Sequence, residues 1–179
     1  MVDKVEKIKR PTLYIFSGLP ASGKSTLAQE LARKINATFV RIDTVEQGLR
    51  DICKYNVQGG EGYELSHLIA KDNLRVGNSV IADSVNPWAL TRRAWNEVAK
   101  SVDANFVNIE VICSDQNEHK RRVEIRNVGI ENLKPPTWEE VLNRDYHGWS
   151  EHRILVDTAQ KQIGESLKEL MRNLESELA

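Results

Sequence analysis

Two glycines five residues apart, Gly18 and Gly23, followed directly by Lys24, Ser25 and Thr26, form the most chemically explicit pattern in the chain. Glycines at that spacing let the backbone curl around an oxyanion, with the N–H groups of the loop and of the next helix pointing inward. Lys24 then reaches the β- and γ-phosphates of a triphosphate, and the Ser25 hydroxyl ligates the Mg²⁺ that bridges them. Gly18, Pro20, Ala21, Ser22, Gly23, Lys24, Ser25 and Thr26 are the candidate phosphate contacts. The alternative is a glycine-rich turn that only starts a helix, with Ser22 as its cap. The flanks favour the phosphate loop, since an apolar run, TLYIF at 12–16, precedes it and helical spacing follows.

Three further groups of residues can do chemistry with that loop. Asp43 closes a second apolar run, where a carboxylate can accept a proton from an attacking hydroxyl or hold a substrate. Asp43 and Glu46 also fit a helix-capping pair, so that Asp43 can merely start a helix. Asp83 follows SVIA at 79–82, an apolar strand ending in an acid that places a carboxylate near Mg²⁺ or substrate. Arg92, with Arg93, can clamp an anionic substrate or lie on a solvated helix face. Arg122 and Arg126 are four apart and share a face, with Arg121 beside them, and can neutralise charge on a transferring phosphoryl group. Glu118, four residues before Arg122, offers the alternative of an ordinary ion pair.

These groups need a scaffold, and hydrophobic periodicity supplies one. Leu27, Leu31, Ala32 and Ile35 recur at helical spacing, and a strand follows over 38–42. A short helix runs through Leu49 and Ile52, a longer one from Tyr63 to Val76, and a third strand covers 80–82. Asn86 reads as a helix cap with Pro87 at the first helical position, opening a helix to about Lys100 with Trp88 and Trp95 in the core. A fourth strand spans 105–113, Ser114 caps a charged helix to about Arg126, and a fifth strand spans 153–156. The last helix covers 160–178. Short apolar strands alternating with helices imply a parallel sheet covered on both faces. Ligands of such sheets bind beyond the carboxyl ends of the strands, so the residues at 18–26, 43, 83–86, 114–115 and 157–160 should share one cleft. Within the last group, Asp157 and Thr158 border a base ring or simply make a turn. The polar segment 127–150, broken by Pro135 and Pro136, reads as a lid that excludes water, or as a segment anchored by Trp138, Tyr146, His147 and Trp149.

The length, 179 residues, suits one domain. Lys and Arg total 25 against 26 Asp and Glu, a formal charge of −1, so no broad field recruits nucleic acid or an anionic membrane. Cys53 and Cys113 are too few for a disulfide scaffold and read as buried free thiols. No apolar run approaches the roughly 20 residues that span a bilayer. The first ten residues alternate charge without a signal-peptide core, and the expected location is cytoplasmic. Asp145, His147 and His152 fit no usual zinc spacing.

With the loop, the acidic strand ends and the arginines assembled, the chain resembles the P-loop small-molecule kinases over nearly its whole length. Closest in pattern are predicted ATP-dependent kinases grouped with the kinase domain of polynucleotide kinase, and more distantly gluconate, adenylyl-sulfate and zeta-toxin kinases. The matching residues are 18–26, Ile42 with Asp43, 80–86 with Arg92, Arg93 and Trp95, the pair Arg122 and Arg126, and 155–158. The resemblance implies the P-loop nucleoside-triphosphate-hydrolase fold, with a five-stranded parallel sheet in order 2-3-1-4-5. It also implies ATP and Mg²⁺ as cofactors. Lys24, Arg122 and Arg126 would act with Asp43 as base or substrate ligand, Ser25 and Asp83 at the metal, Thr158 and Arg122 at the nucleotide, and Asp43, Asp83 and Arg92 at the acceptor. Polynucleotide kinases carry a second acid and an arginine close behind the one at Asp43. Here Thr44, Val45, Glu46 and Gln47 follow and the next arginine after it is Arg50, which counts against a 5′-hydroxyl nucleic-acid substrate. The expected activity is γ-phosphate transfer to a hydroxyl of a small molecule. A nucleotide-operated switch without an acceptor and a polynucleotide end kinase are the alternatives, and oligomeric state is left open.

Overall fold

The computed structural model describes residues 10–178, so the charge-alternating run at 1–9 lies outside the described residues. Five strands, β1 (Thr12–Ser17), β2 (Thr38–Arg41), β3 (Val80–Asp83), β4 (Asn105–Ile112) and β5 (Ile154–Asp157), form one sheet. Its order is β2-β3-β1-β4-β5, as the resemblance implied, and every neighbouring pair is parallel.

The period-2 alternation of strand side chains sorts the core into two layers. Tyr14 and Phe16 of β1 join Val107, Ile109 and Val111 of β4 beneath α1 (Lys24–Ile35) and α7 (Ile163–Glu177), whose Leu27, Leu31, Leu170 and Leu174 fill that face. On the opposite face, Leu13 and Ile15 pack with Val80 and Ala82 against α3 (Glu61–Arg75) and α4 (Ala89–Lys100), through Ala70, Leu74, Trp95 and Val98. The remaining helices are α2 (Ile42–Asp51), α5 (Gln116–Ile125) and α6 (Trp138–Leu142).

Several boundaries differ from the sequence expectation, each for a local reason. The helix expected to open at Pro87 opens at Ala89, because Asn86 is buried at φ 48° with its side chain turned to Ser17. Trp88 consequently leaves the core and is 45% exposed, while Trp95 is fully buried. The helix after β2 begins at Ile42 with Arg41 as its cap residue, so Asp43 sits in the first turn and not at the cap. Glu46 pairs with Arg50 and does not close a capping box with Asp43. Asp115, not Ser114, caps α5 by accepting from the Glu118 amide, while Ser114 donates to Asp157. The last helix starts at Ile163, where Gln162 and Glu165 form a capping box. Cys113 is buried, but Cys53 is exposed. No described helix is long and apolar enough to cross a membrane.

Candidate active site

The carboxyl ends of β1, β3 and β5 converge with the N-terminus of α1 around the loop at 18–23, and the sequence explains why it holds its shape. Gly18 adopts φ +146°, and a Cβ there would stand 2.2 Å from the Val111 carbonyl oxygen, so only glycine fits beside β4. Its amide donates to the Val85 carbonyl at 3.1 Å. Gly23 adopts φ +97° under Thr158. Ala21 is left-handed at φ 64°, uncommon for a residue with a Cβ, and lies where the loop turns toward the cleft.

Three side chains from outside the loop fix it in place. The Thr158 hydroxyl donates to the Ser22 carbonyl at 2.7 Å and accepts from Arg122 Nη1 at 2.8 Å. Arg122 Nη2 also donates to the Thr158 carbonyl at 3.0 Å and to Glu118 at 2.6 Å. The His119 ring Nε2 hydrogen-bonds the Pro20 carbonyl at 2.8 Å, so this nitrogen is the protonated one. Sequence reasoning passed over His119, whose partner lies 99 positions away.

Beneath the loop, Lys24 and Asp83 are both buried. Burial pushes the Asp83 carboxyl above the usual carboxylate range, against the opposing pull of the Lys24 charge, the Ser25 hydroxyl and the Arg41 charge. Neither Asp83 oxygen has a hydrogen-bond partner among the described residues. A fully buried carboxylate with both oxygens unspent, next to a hydroxyl from the loop, is a donor set that fits a hard divalent cation.

Arg41 is the second residue that sequence reasoning missed. Its guanidinium, mostly buried, stands 3.7 Å from Asp83 and 3.8 Å from Asp43, and its Nη1 donates to the Val128 carbonyl at 2.9 Å. It thereby joins β2, β3 and the segment after α5. Arg126 lies near Asp43 with its Nε buried and unpartnered; burial lowers its pKa and the Asp43 charge raises it.

A cleft of about 790 Å³ opens over these groups, walled by the loop, Arg41, Arg121, Arg122, Arg126, Thr158 and Lys161. Its outer end carries two isoleucines, Ile125 and Ile163, with Gln29 and the buried Ser166. The expectation that all strand-end residues share this cleft holds in part. Residues of the loop and Thr158 line it, and Asp43 and Asp83 reach it through Arg41. Ser114 and Asp115 do not, because they are spent on Asp157 and on capping α5. Arg92 lies apart from it, fully buried with its donors taken by backbone carbonyls. Among the described residues no group of three or more His, Cys, Asp or Glu side chains is placed to hold a metal. Any cation here would therefore depend on the phosphates as well as on Asp83 and Ser25.

Comparison with known proteins agrees with this geometry. A search of curated proteins finds no match. Among solved structures, a candidate kinase from Chloroflexus aurantiacus superposes with a TM-score of 0.73 at 20% identity, over 94% of this chain and 98% of that one. The Mycobacterium tuberculosis APS kinase in complex with AMPPNP and APS gives 0.68 at 18% identity, covering 93% and 98%. Kti12 of Chaetomium thermophilum, solved with ADP-AlF3, gives 0.63 at 18% identity, covering 89% and 97%. At these identities the likeness establishes the fold. The family model described as an AAA domain matches residues 13–142, which hold the loop, Asp43, Asp83 and the α5 arginines. By that match over most of its length, the chain belongs to the AAA domain family of P-loop proteins.

Proposed function

We propose that the protein is an ATP-dependent phosphotransferase that moves the γ-phosphoryl group to a hydroxyl of a small-molecule acceptor. The observation that carries this reading is Asp43, a part-exposed carboxylate that makes no hydrogen bond among the described residues and faces Arg41 and Arg126 beside the loop.

The loop amides and Lys24 would hold the β- and γ-phosphates, and Ser25 with Asp83 would hold Mg²⁺, which would supply charge neutralisation to the transferring phosphoryl group. The adenine end takes the slot between Ile125 and Ile163, next to Thr158 and Arg122. Asp43 accepts the proton of the acceptor hydroxyl as its oxygen bonds to the γ-phosphorus. The bond from that phosphorus to the β–γ bridging oxygen breaks, and ADP leaves. Arg126 neutralises the transferring group. The chain works as one domain, with its lid drawn from the segment 127–150. Likeness to kinases, one of them holding AMPPNP and APS, supports the reading.

Arg122 and Arg126 separate by what they already bind. Arg122→Ala removes three hydrogen bonds to Thr158 and Glu118 and lowers both melting temperature and turnover. Arg126→Ala removes no hydrogen bond made among the described residues, so turnover falls by about 10²-fold with little change in melting temperature. Parallel melting curves and initial rates check the split.

Asp83→Asn gives the opposite combination. Because burial raises the Asp83 pKa, the folded chain takes up a proton there more readily than the unfolded chain. Stability is thus fullest below the unfolded carboxyl's value near 3.8 and declines as pH rises through the raised folded value. At pH 7 Asp83→Asn therefore melts higher than wild type by a few degrees, roughly, and the gain shrinks toward pH 4. Its Mg²⁺-dependent turnover is lost. Melting curves across that range, with and without MgATP, check both effects.

Kti12, crystallised with ADP-AlF3, keeps an ATPase switch as the second reading. ATP consumption measured with and without a panel of hydroxylated metabolites separates the two. Turnover that appears only with an acceptor supports the kinase, and equally fast turnover without one supports the switch.

A further inference from the structure

Arg92 is fully buried on α4, yet none of its four hydrogen bonds reaches a carboxylate. Nε donates to the Asn86 carbonyl at 3.1 Å and Nη2 to Pro87 at 2.9 Å. On the other side, Nη2 donates to the His147 carbonyl at 2.7 Å and Nη1 to Gly148 at 3.1 Å. The guanidinium carbon lies 4.1 Å from the centroid of the Trp149 ring and 5.1 Å from that of Tyr146, within cation–π range of both. Two chain segments are thereby joined through one planar group. The His147 amide, donating to the Pro87 carbonyl at 2.8 Å, and Trp88 Nε1, donating to Asp145 at 2.9 Å, complete the seam.

The 86–87 side of the seam leads to the phosphate loop. Asn86, left-handed at φ 48°, donates from its side chain to the Ser17 hydroxyl at 3.0 Å, and its amide donates to the Tyr63 hydroxyl at 3.1 Å. Its neighbour Val85 accepts from the Gly18 amide at 3.1 Å. Ser17 and Gly18 are where β1 becomes the loop. The 147–148 side leads to β4, whose Glu110 accepts from the Tyr146 hydroxyl at 3.1 Å. A buried guanidinium is costly to desolvate, and carbonyls and aromatic faces from two segments return that cost only while both segments stay in place.

We propose that Arg92 is a positioning residue for the nucleotide site: its fork holds the 85–87 turn against the entry to the phosphate loop and pins residues 146–149 to the body of the domain. A lysine cannot reproduce the fork, because its single ammonium cannot reach four carbonyls in one plane. The loop then loses the support behind Gly18, and 146–149 loosens.

The inference rests on the nucleotide-binding part of the function proposed above, so calorimetric ATP binding by wild type and by Lys24→Ala is measured alongside. Arg92→Lys is expected to bind ATP about tenfold more weakly and to acquire protease cleavage within 145–149. Val98→Ala, a cavity in the same helix on its core face, is expected to lower the melting temperature while keeping ATP affinity within about twofold. Asn86→Gly keeps the left-handed backbone but loses the Ser17 bond, and is expected to weaken ATP binding several-fold without new cleavage. Wild-type affinity in folded Arg92→Lys, or an equal loss in Val98→Ala at matched melting temperature, would overturn the proposal. If Arg92→Lys does not fold, wild-type affinity in Asn86→Gly overturns it. Failure of wild type to bind ATP at all would instead refute the underlying reading, with the cleavage of Arg92→Lys still testing the seam.

Discussion

Lys24→Ala lowers phosphoryl transfer by about 10²–10³-fold and leaves the chain folded. Lys24 is buried at the first position of α1, where its charge pulls the Asp83 carboxyl down against desolvation. Removing it takes a buried, preorganised cation from the floor of the cleft, and such groups are worth about 3–4 kcal/mol in a transition state. It also removes the largest charge that opposes the upward shift of the buried Asp83 carboxyl. Folding survives because the β1 and α1 cores do not use the ammonium, but the buried Asp83 carboxyl loses its main offsetting charge, so the circular-dichroism melt at pH 7 falls below wild type along with ATP affinity and turnover.

Gly18→Ala acts through sterics and should be strongly destabilising for a single added methyl. The added Cβ would sit 2.2 Å from the Val111 carbonyl oxygen, in a backbone conformation at φ +146° that L side chains rarely adopt. The obstacle is a backbone carbonyl of β4, paired between β1 and β5, and cannot rotate away. Overpacking and the forbidden backbone region together cost about 2–5 kcal/mol, and the displaced loop loses ATP. Gly48→Ala is the control: nothing lies within 4 Å of its Cβ position inside α2. That change should stabilise by roughly 0.5–1 kcal/mol through helix propensity. Denaturant titration of the two variants distinguishes a steric role for Gly18 from a generic glycine effect.

What the sequence disclosed and what it hid follow the range of the interactions. The loop and its flanks were legible because β1, the glycines and α1 are contiguous, and the hydrophobic period changes from 2 to 3.6 across them. Strand order was not, since pairing β1 with both β3 and β4 depends on contacts that no local pattern records; it came from the family resemblance. Arg41 escaped notice because an arginine at a strand end looks like a solvated terminus, and its partner Val128 is 87 positions on. Arg92 read as a clamp or a solvated residue, whereas its environment is built by 147 and 148, 55 and 56 positions away. Asn86 and Pro87 carried a textual helix start that the Ser17 contact overrode. The capping box of Thr137 and Glu140 that starts α6 was present locally and was passed over beneath the two prolines.

The segment after α5 illustrates the same lesson for function. Its far end is not free: β4 presents Glu110 toward this segment, and Tyr146, Trp149 and Arg153 gather there with Arg92. Nearer the cleft, the ties are the Arg41 bond to Val128 and the Asn132 bond to Asp51 at 3.1 Å. The aromatic residues near its end thus pack as anchors, and so does Trp138 in its middle, whose ring meets that of His119 edge-on at 5.3 Å while Val141 of the same helix is buried.

The central claim is transfer to a hydroxyl, and the most direct measurement is the fate of the γ-phosphate. ATP labelled at that position is incubated with the protein, Mg²⁺ and pooled metabolites, nucleosides and oligonucleotides, and labelled products are resolved by mass. The account predicts a labelled phosphate monoester of a small hydroxyl compound with wild type, and none with Lys24→Ala or Asp43→Ala. Label recovered only as inorganic phosphate, at the same rate whatever acceptor is present, would contradict it.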